Sequence, residues 1–402
     1  MLYAMKLRRR LIEKIYIQGF KSVAHEEPLE IDLAPLTLFI GGVGAGKSAL
    51  IKALVLFGEI ICEKKLQSFN PSLDIYAGRK FPALLAYYID REIVDTIYQL
   101  NNLVQHLQPQ QAIQLIQTFR EAKTSDVYAP VFALELDASG EHLVLPFVDV
   151  RKVIGRKRES LRRIASTMFA ELLSVAGQHL EVLSQLCSFI EYTPAVIEWL
   201  PPIYRGVPKA SKSSSSYYYH SLLTRYASDD EFRNRFKTYM HRVLGFEGVR
   251  LQVGEENSQL ILRLELYDDK LGDWIGLESM GASIRHIIPL LLSMSLAREG
   301  GVVIASNVGC LLDPYSAKNL AKAIVETVAR GVQVVMSTPR EDFIVYLLEE
   351  ALEHLGEDKI AVYLAVRKRS LHLYKLEPGI PLQGPREALE ELKSRGYLHL
   401  IA

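Results

Sequence analysis

Eight consecutive residues, Gly41-Gly42-Val43-Gly44-Ala45-Gly46-Lys47-Ser48, satisfy the pattern G-x-x-x-x-G-K-[ST] and could do phosphate chemistry. Glycines let backbone N–H groups curl around a β-phosphate, and a helix beginning at the loop's end adds a favourable dipole. Lys47 supplies a positive charge and Ser48 a hydroxyl able to hold Mg²⁺ beside those phosphates. The motif needs a strand before it and a helix after it. The apolar run Leu36 to Ile40 predicts the strand, and Leu50, Ile51, Leu54, Val55 and Phe57 recur at helical spacing from Ser48 towards Ile61. A glycine turn that binds nothing is the bland alternative, and these flanking elements disfavour it.

Upstream, Ile15-Tyr16-Ile17-Gln18-Gly19-Phe20-Lys21-Ser22 resembles the opening strand and aromatic-Lys-Ser turn of ABC-type ATPases of the SMC, RecF and OLD kind, including related stand-alone AAA-like ATP-binding proteins. The resemblance covers about residues 11 to 60 and 245 to 345. It implies an α/β P-loop NTPase fold with an ABC-type head, a mixed sheet flanked by helices. The chain has no long heptad coiled coil, so a full SMC arm is excluded, and no acidic cluster suggesting a fused nuclease.

Leu277-Glu278-Ser279-Met280-Gly281-Ala282-Ser283 stands where that family places its signature, with Ser279 and Gly281 matching and Met280 replacing a glycine. By the resemblance, Ser279 and Gly281 contact the γ-phosphate held by an opposite subunit, so that ATP joins two chains. The other reading of Ser279 is an N-cap opening a buried helix. Val302 to Ala305 resembles the strand that leads to a metal-organising aspartate and a catalytic glutamate, with Leu312-Asp313-Pro314 fixing the register. Ser306 and Asn307 occupy those two positions, and Pro339 occupies that of the switch histidine. Neither Asn307 nor Pro339 can exchange a proton with water, and losing a general base costs about 10²–10⁴-fold in rate. Asp90 and Asp313 are candidate substitute carboxylates.

The resemblance and these departures together imply an ATP-binding protein whose nucleotide closes a homodimer, or a heterodimer with a related ATPase subunit. It would act as a switch in DNA maintenance, repair or defence, with hydrolysis slow or lost. Two alternatives stay open: a slow ATPase using substitute or partner carboxylates, and a nucleic-acid-binding scaffold with structural ATP. For the scaffold, Arg151, Lys152, Arg156, Lys157, Arg158, Arg162 and Arg163 lie within thirteen residues and could follow a phosphodiester backbone, or simply form a solvated face. Lys6, Arg8, Arg9 and Arg10 extend that patch only if folding brings them near. Tyr217 to Tyr219, in the serine-rich stretch Lys209 to His220, could stack on bases or anchor their own loop.

Four segments must position these groups. Residues 1–68 form an amino-terminal lobe with the phosphate loop, and 69–245 a mostly helical insertion containing a hairpin of Val131 to Leu136 with Leu143 to Phe147. Residues 246–345 return to α/β alternation and carry the signature and degenerate motifs; 346–402 give a hairpin around Ile360 to Tyr374 and a helix near Arg386 to Arg395. Within the insertion, Ala83 to Val104 and Ser160 to Leu186 read as helices.

The 402 residues are 49% hydrophobic and 23% charged, which excludes global disorder and fibrous repeats. Lys plus Arg (47) equals Asp plus Glu (47), so any nucleic-acid contact must come from a local patch. Cys62, Cys187 and Cys310 are scattered, and the ten histidines show no paired metal spacing, so neither a disulfide framework nor a zinc site is expected. No signal peptide or membrane span is legible, and a soluble cytoplasmic protein without membrane contact is expected.

Overall fold

Leu36-Thr37-Leu38-Phe39-Ile40 is buried at every position, as a strand covered on both faces must be. It is the centre of a computed structural model that describes residues 11–24, 26–59, 69–76, 83–89, 130–136, 142–146, 190–192, 204–205, 229–256, 259–367 and 369–376. Along the chain run β1 (Ile12–Gln18), β2 (Leu29–Asp32), β3 (Leu36–Ile40), α1 (Lys47–Gly58), α2 (Pro71–Asp74), β4 (Ala83–Ile89), β5 (Pro130–Leu136), β6 (His142–Pro146), β7 (Ile190–Tyr192) and β8 (Tyr204–Arg205). There follow α3 (Asp230–Leu244), β9 (Gly248–Glu256), β10 (Gln259–Asp268), β11 (Asp273–Gly276), a 3₁₀ turn (Leu277–Ser279) and α4 (Ala282–Leu296). The last described elements are β12 (Val302–Ala305), α5 (Pro314–Ala329), β13 (Gln333–Ser337), α6 (Glu341–His354), β14 (Ile360–Arg367) and β15 (Leu371–Leu376).

A six-stranded sheet in the order β15-β14-β3-β13-β12-β7 carries the glycine loop that follows β3, and its strands are parallel except β15. Its strands alternate between two cores, with Val334 and Met336 of β13 on one side and Val335 on the other. Leu36, Leu38 and Ile40 of β3 join the first core, together with residues of α3, α4, α5 and α6. Phe39 joins the second, with α1 and the antiparallel sheet β2-β1-β4-β5-β6. A third sheet, β11-β10-β8 with β9 also paired to β10, leads into the 3₁₀ turn and α4. The result is a mixed α/β architecture with helices flanking the sheet.

Ala83 to Ile89 is a strand and not the start of a helix, pairing antiparallel with both β1 and β5. A continuous apolar run of this length suits a buried strand and a buried helix equally, so periodicity misreads it. The expected hairpin is present as β5 with β6. The described residues of 69–245 are woven into the head: β4 to β6 extend the β1 sheet and β7 pairs with β12. α3 packs Phe232, Phe236, Tyr239, Met240 and Val243 into the first core, with Asp229 accepting a cap bond from Phe232 N at 3.0 Å. The reading of this segment as mostly helical falls largely outside the described residues; the described part holds these strands as well as α2 and α3. The helix expected at Ser160 to Leu186, the stretch Lys209 to His220, Cys62, Cys187 and the carboxy-terminal helix lie outside the described residues. Among those described, no helix is long and apolar enough to cross a membrane.

Candidate functional site

β3 ends at Ile40 and α1 begins at Lys47, so Gly41 to Gly46 form the loop between them. Gly41, Gly44 and Gly46 have φ of 135°, 80° and 103°, a region that only glycine enters freely. Gly41 has a second constraint: a Cβ there would sit 2.5 Å from the carbonyl oxygen of Ala365 on β14. Gly46 is the left-handed N-cap of α1 and gives the helix no side-chain cap, leaving its first amides facing the loop. Val43 is 97% exposed at the loop's tip, and Ser48 is exposed on the first turn.

Lys47 is buried, and its ammonium donates to the carbonyl oxygens of Gly41 and of Gly42, the latter at 2.7 Å. Burial lowers its pKa, and Cys310 nearby pulls weakly the other way. Cys310 is a free cysteine whose thiol burial pushes up, against smaller lowering effects from Thr338, Arg340 and Lys47. At this site it is a neutral neighbour.

The Lys21-Ser22 turn is held against the loop. A Cβ on Gly46 would meet the Ser22 hydroxyl oxygen at 2.8 Å, and that buried oxygen has no hydrogen-bond partner. Asp74 fixes the turn: its carboxylate lies 2.8 Å from Lys21 Nζ and 3.6 Å from Lys52 Nζ, and its carbonyl accepts from Lys21 N at 2.6 Å. Asp74 was not singled out in the sequence, although Asn70 and Pro71 mark the turn that holds it.

Ser306 directly follows β12 and is 4% exposed, while Asn307 is exposed with φ of 53°. His286 Nε2 lies 3.3 Å from the Asn307 carbonyl oxygen, which accepts from the tautomer protonated there. Ser337, 1% exposed, ends β13 opposite Phe39 of β3, on the face that carries α1, and its hydroxyl has no partner among the described residues. Thr338 donates to Val308 O at 2.8 Å, and Arg340 donates to Gly309 O at 2.7 Å and to Leu312 O while forking onto Asp342 at 2.6 Å. Pro339, half-buried, lies between these two clamps. Arg340 was also missed in the sequence; nothing local distinguishes it from a surface arginine.

Asp313 is the N-cap of α5, its carboxylate accepting from Tyr315 N at 2.9 Å and Ser316 N at 3.0 Å, and the bonds to Ser316 lower its pKa. It is thus committed to the helix. Ser279 ends the 3₁₀ turn and is exposed; the N-cap of α4 is Gly281, so Ser279 does not cap that helix. Met280 between them is 8% exposed and belongs to the first core. Asp90 and the basic residues Arg151, Lys152, Arg156, Lys157, Arg158, Arg162 and Arg163, with Lys6 and Arg8 to Arg10, lie outside the described residues.

This architecture is the fold of SMC head domains. A crystal structure of an SMC head bound to the C-terminal winged-helix domain of ScpA has a TM-score of 0.51 at 15% identity, covering 91% of this chain and 98% of that one. An SMC head with an extended coiled coil from Pyrococcus furiosus, bound to the C-terminal domain of ScpA, gives 0.48 at 14% identity, with coverage of 95% and 99%. The SMC head domain from Thermotoga maritima gives 0.41 at 15% identity, covering 92% of this chain and all of that one. No protein-family model and no curated protein sequence matches this chain.

Proposed function

We propose that the chain binds ATP at Gly41 to Ser48 and that the bound nucleotide joins it to a second copy or a related subunit, with hydrolysis slow or lost. The observation that carries this reading is the buried Lys47 ammonium, held inside a glycine loop between a parallel strand and a helix N-terminus. Burial there is unfavourable for an ammonium that meets, among the described residues, two carbonyl oxygens, and phosphate oxygens would offset that cost. Ser22 adds an unpartnered hydroxyl beside the loop.

Slow hydrolysis is supported by what surrounds the loop. Asn307 cannot act as a base, Pro339 offers no side-chain donor, and Asp313 is engaged by two backbone amides. The slow-ATPase alternative depends on Asp90, Asp313 or a partner. For the expected Mg²⁺, Ser48 offers one hydroxyl and the Ser306 position another. Among the described residues no group of three or more His, Cys, Asp or Glu could hold a metal ion. This donor set does not fit a site in which the protein gives the metal a carboxylate.

The exposed Ser279 and Gly281 are suited to reach a nucleotide on another chain. A role in DNA maintenance, repair or defence, and nucleic-acid contact through the 151–163 basic stretch, rest on the resemblance and on composition alone.

Sedimentation with and without ATP tests the switch. The expected result is an ATP-dependent dimer that Ser279→Arg abolishes, and a profile indifferent to nucleotide would refute it. Steady-state phosphate release with Lys47→Ala as the blank tests hydrolysis. Turnover that vanishes in the mutant would favour the ATPase alternative.

A further inference from the structure

Resting on the nucleotide reading of Gly41 to Ser48, we infer that this site takes a nucleoside triphosphate without requiring a divalent cation. A bare triphosphate is more negative than its magnesium complex by the charge of the cation. The residues that usually recruit the metal, an aspartate and a glutamate at the end of the β12-type strand, also repel a bare triphosphate. Here both positions are neutral, so the local charge changes in the direction that compensates for an absent cation.

The surroundings do not restore that negative charge among the described residues. Ser306 is buried at the first position, and Asn307 is an exposed amide in a left-handed conformation with its carbonyl facing His286. On the neighbouring strand Ser337 presents a second neutral hydroxyl, unpartnered and 1% exposed, on the face that carries α1. Cys310, the group next to Lys47, is held as a neutral thiol by burial. The Asp313 carboxylate, an anion stabilised by the Tyr315 and Ser316 amides, sits exposed at the start of α5, outside the two positions in question, and that of Asp74 faces Lys21 and Lys52. Lys47 meets no carboxylate in hydrogen-bonding range, only the carbonyls of Gly41 and Gly42. Hydroxyls and amides bind phosphate oxygens directly, which favours bare phosphate over a hydrated cation that dehydrates reluctantly.

Calorimetric titration of the full chain with ATP, first in excess EDTA and then in excess Mg²⁺, tests this, with Lys47→Ala as the control in both. The two dissociation constants should differ by less than about tenfold. Ser306→Asp should weaken binding in EDTA by about tenfold or more and make it respond to Mg²⁺. Lys47-dependent binding seen only with Mg²⁺ would overturn the inference and leave the nucleotide reading standing. Binding in neither condition would overturn both. The comparison on the unaltered chain decides the matter even if Ser306→Asp does not fold.

Discussion

Gln333 and Ile12, 321 residues apart, exchange two hydrogen bonds: Gln333 Oε1 accepts from Ile12 N at 2.9 Å and Gln333 Nε2 donates to Ile12 O at 2.8 Å. The same amide nitrogen donates to Ala34 O at 3.2 Å. One side chain at the start of β13 thus completes the backbone of β1 and ties the antiparallel sheet to the sheet that bears the phosphate loop. Gln333→Ala would leave buried peptide groups at Ile12 unpaired, and about 2–4 kcal/mol of stability should be lost in denaturant unfolding.

The loop glycines should not respond alike. Gly41→Ala places a methyl 2.5 Å from the Ala365 carbonyl oxygen at a φ of 135°, so it should abolish nucleotide binding and lower the melting temperature. Gly44→Ala meets nothing within 4 Å and should cost only left-handed strain, about 1–2 kcal/mol. Equal effects in a thermal shift assay would contradict this distinction.

Met280→Gly brings the signature segment back to the family pattern, yet it should destabilise the fold. The side chain is packed in the core that also holds Leu277 and Ile287. Removing it should cost about 2–5 kcal/mol by denaturant titration.

Asp74→Ala should release the Lys21-Ser22 turn from the loop. Because both lysines keep partial access to water, the expected stability loss is about 1–3 kcal/mol, below that of a fully buried pair. Affinity for ATP should fall as well, and unchanged affinity in calorimetry would separate the turn from the site.

Lys47 should give the proposed nucleotide site a pH dependence. Its folded pKa lies below the ordinary 10.5, so between the two values the unfolded chain binds more protons and stability rises with pH. Phosphate oxygens favour the ammonium form, so affinity for ATP should fall as pH rises through the same window. Titrations in buffers of different ionisation enthalpy should show proton uptake on binding there.

Much of the fold was legible because its strands and helices carry their periodicity locally. Leu36 to Ile40, Val302 to Ala305 and the glycine loop between strand and helix are found where pattern and motif place them. β4 was misread because a run buried on both sides has no period to betray it. Asp74 and Arg340 were missed because each is defined by partners brought in by chain reversal, Lys21 and Lys52 for one, Gly309 and Leu312 for the other.

The sequence by itself determined the chemistry available at each position: a lysine and glycines at the loop, and serine, asparagine and proline where acid, base and switch groups were expected. Side-chain identity is a covalent property that folding does not alter. Only the tertiary structure decided which groups remain available. It made Asp313 the cap of α5, buried Met280 in a core, withdrew the Lys47 ammonium from water, and left the hydroxyls of Ser22, beside the loop, and Ser337, at the end of β13, without partners among the described residues. Burial and competition for hydrogen bonds are settled by the packed structure as a whole, which no single stretch of sequence displays.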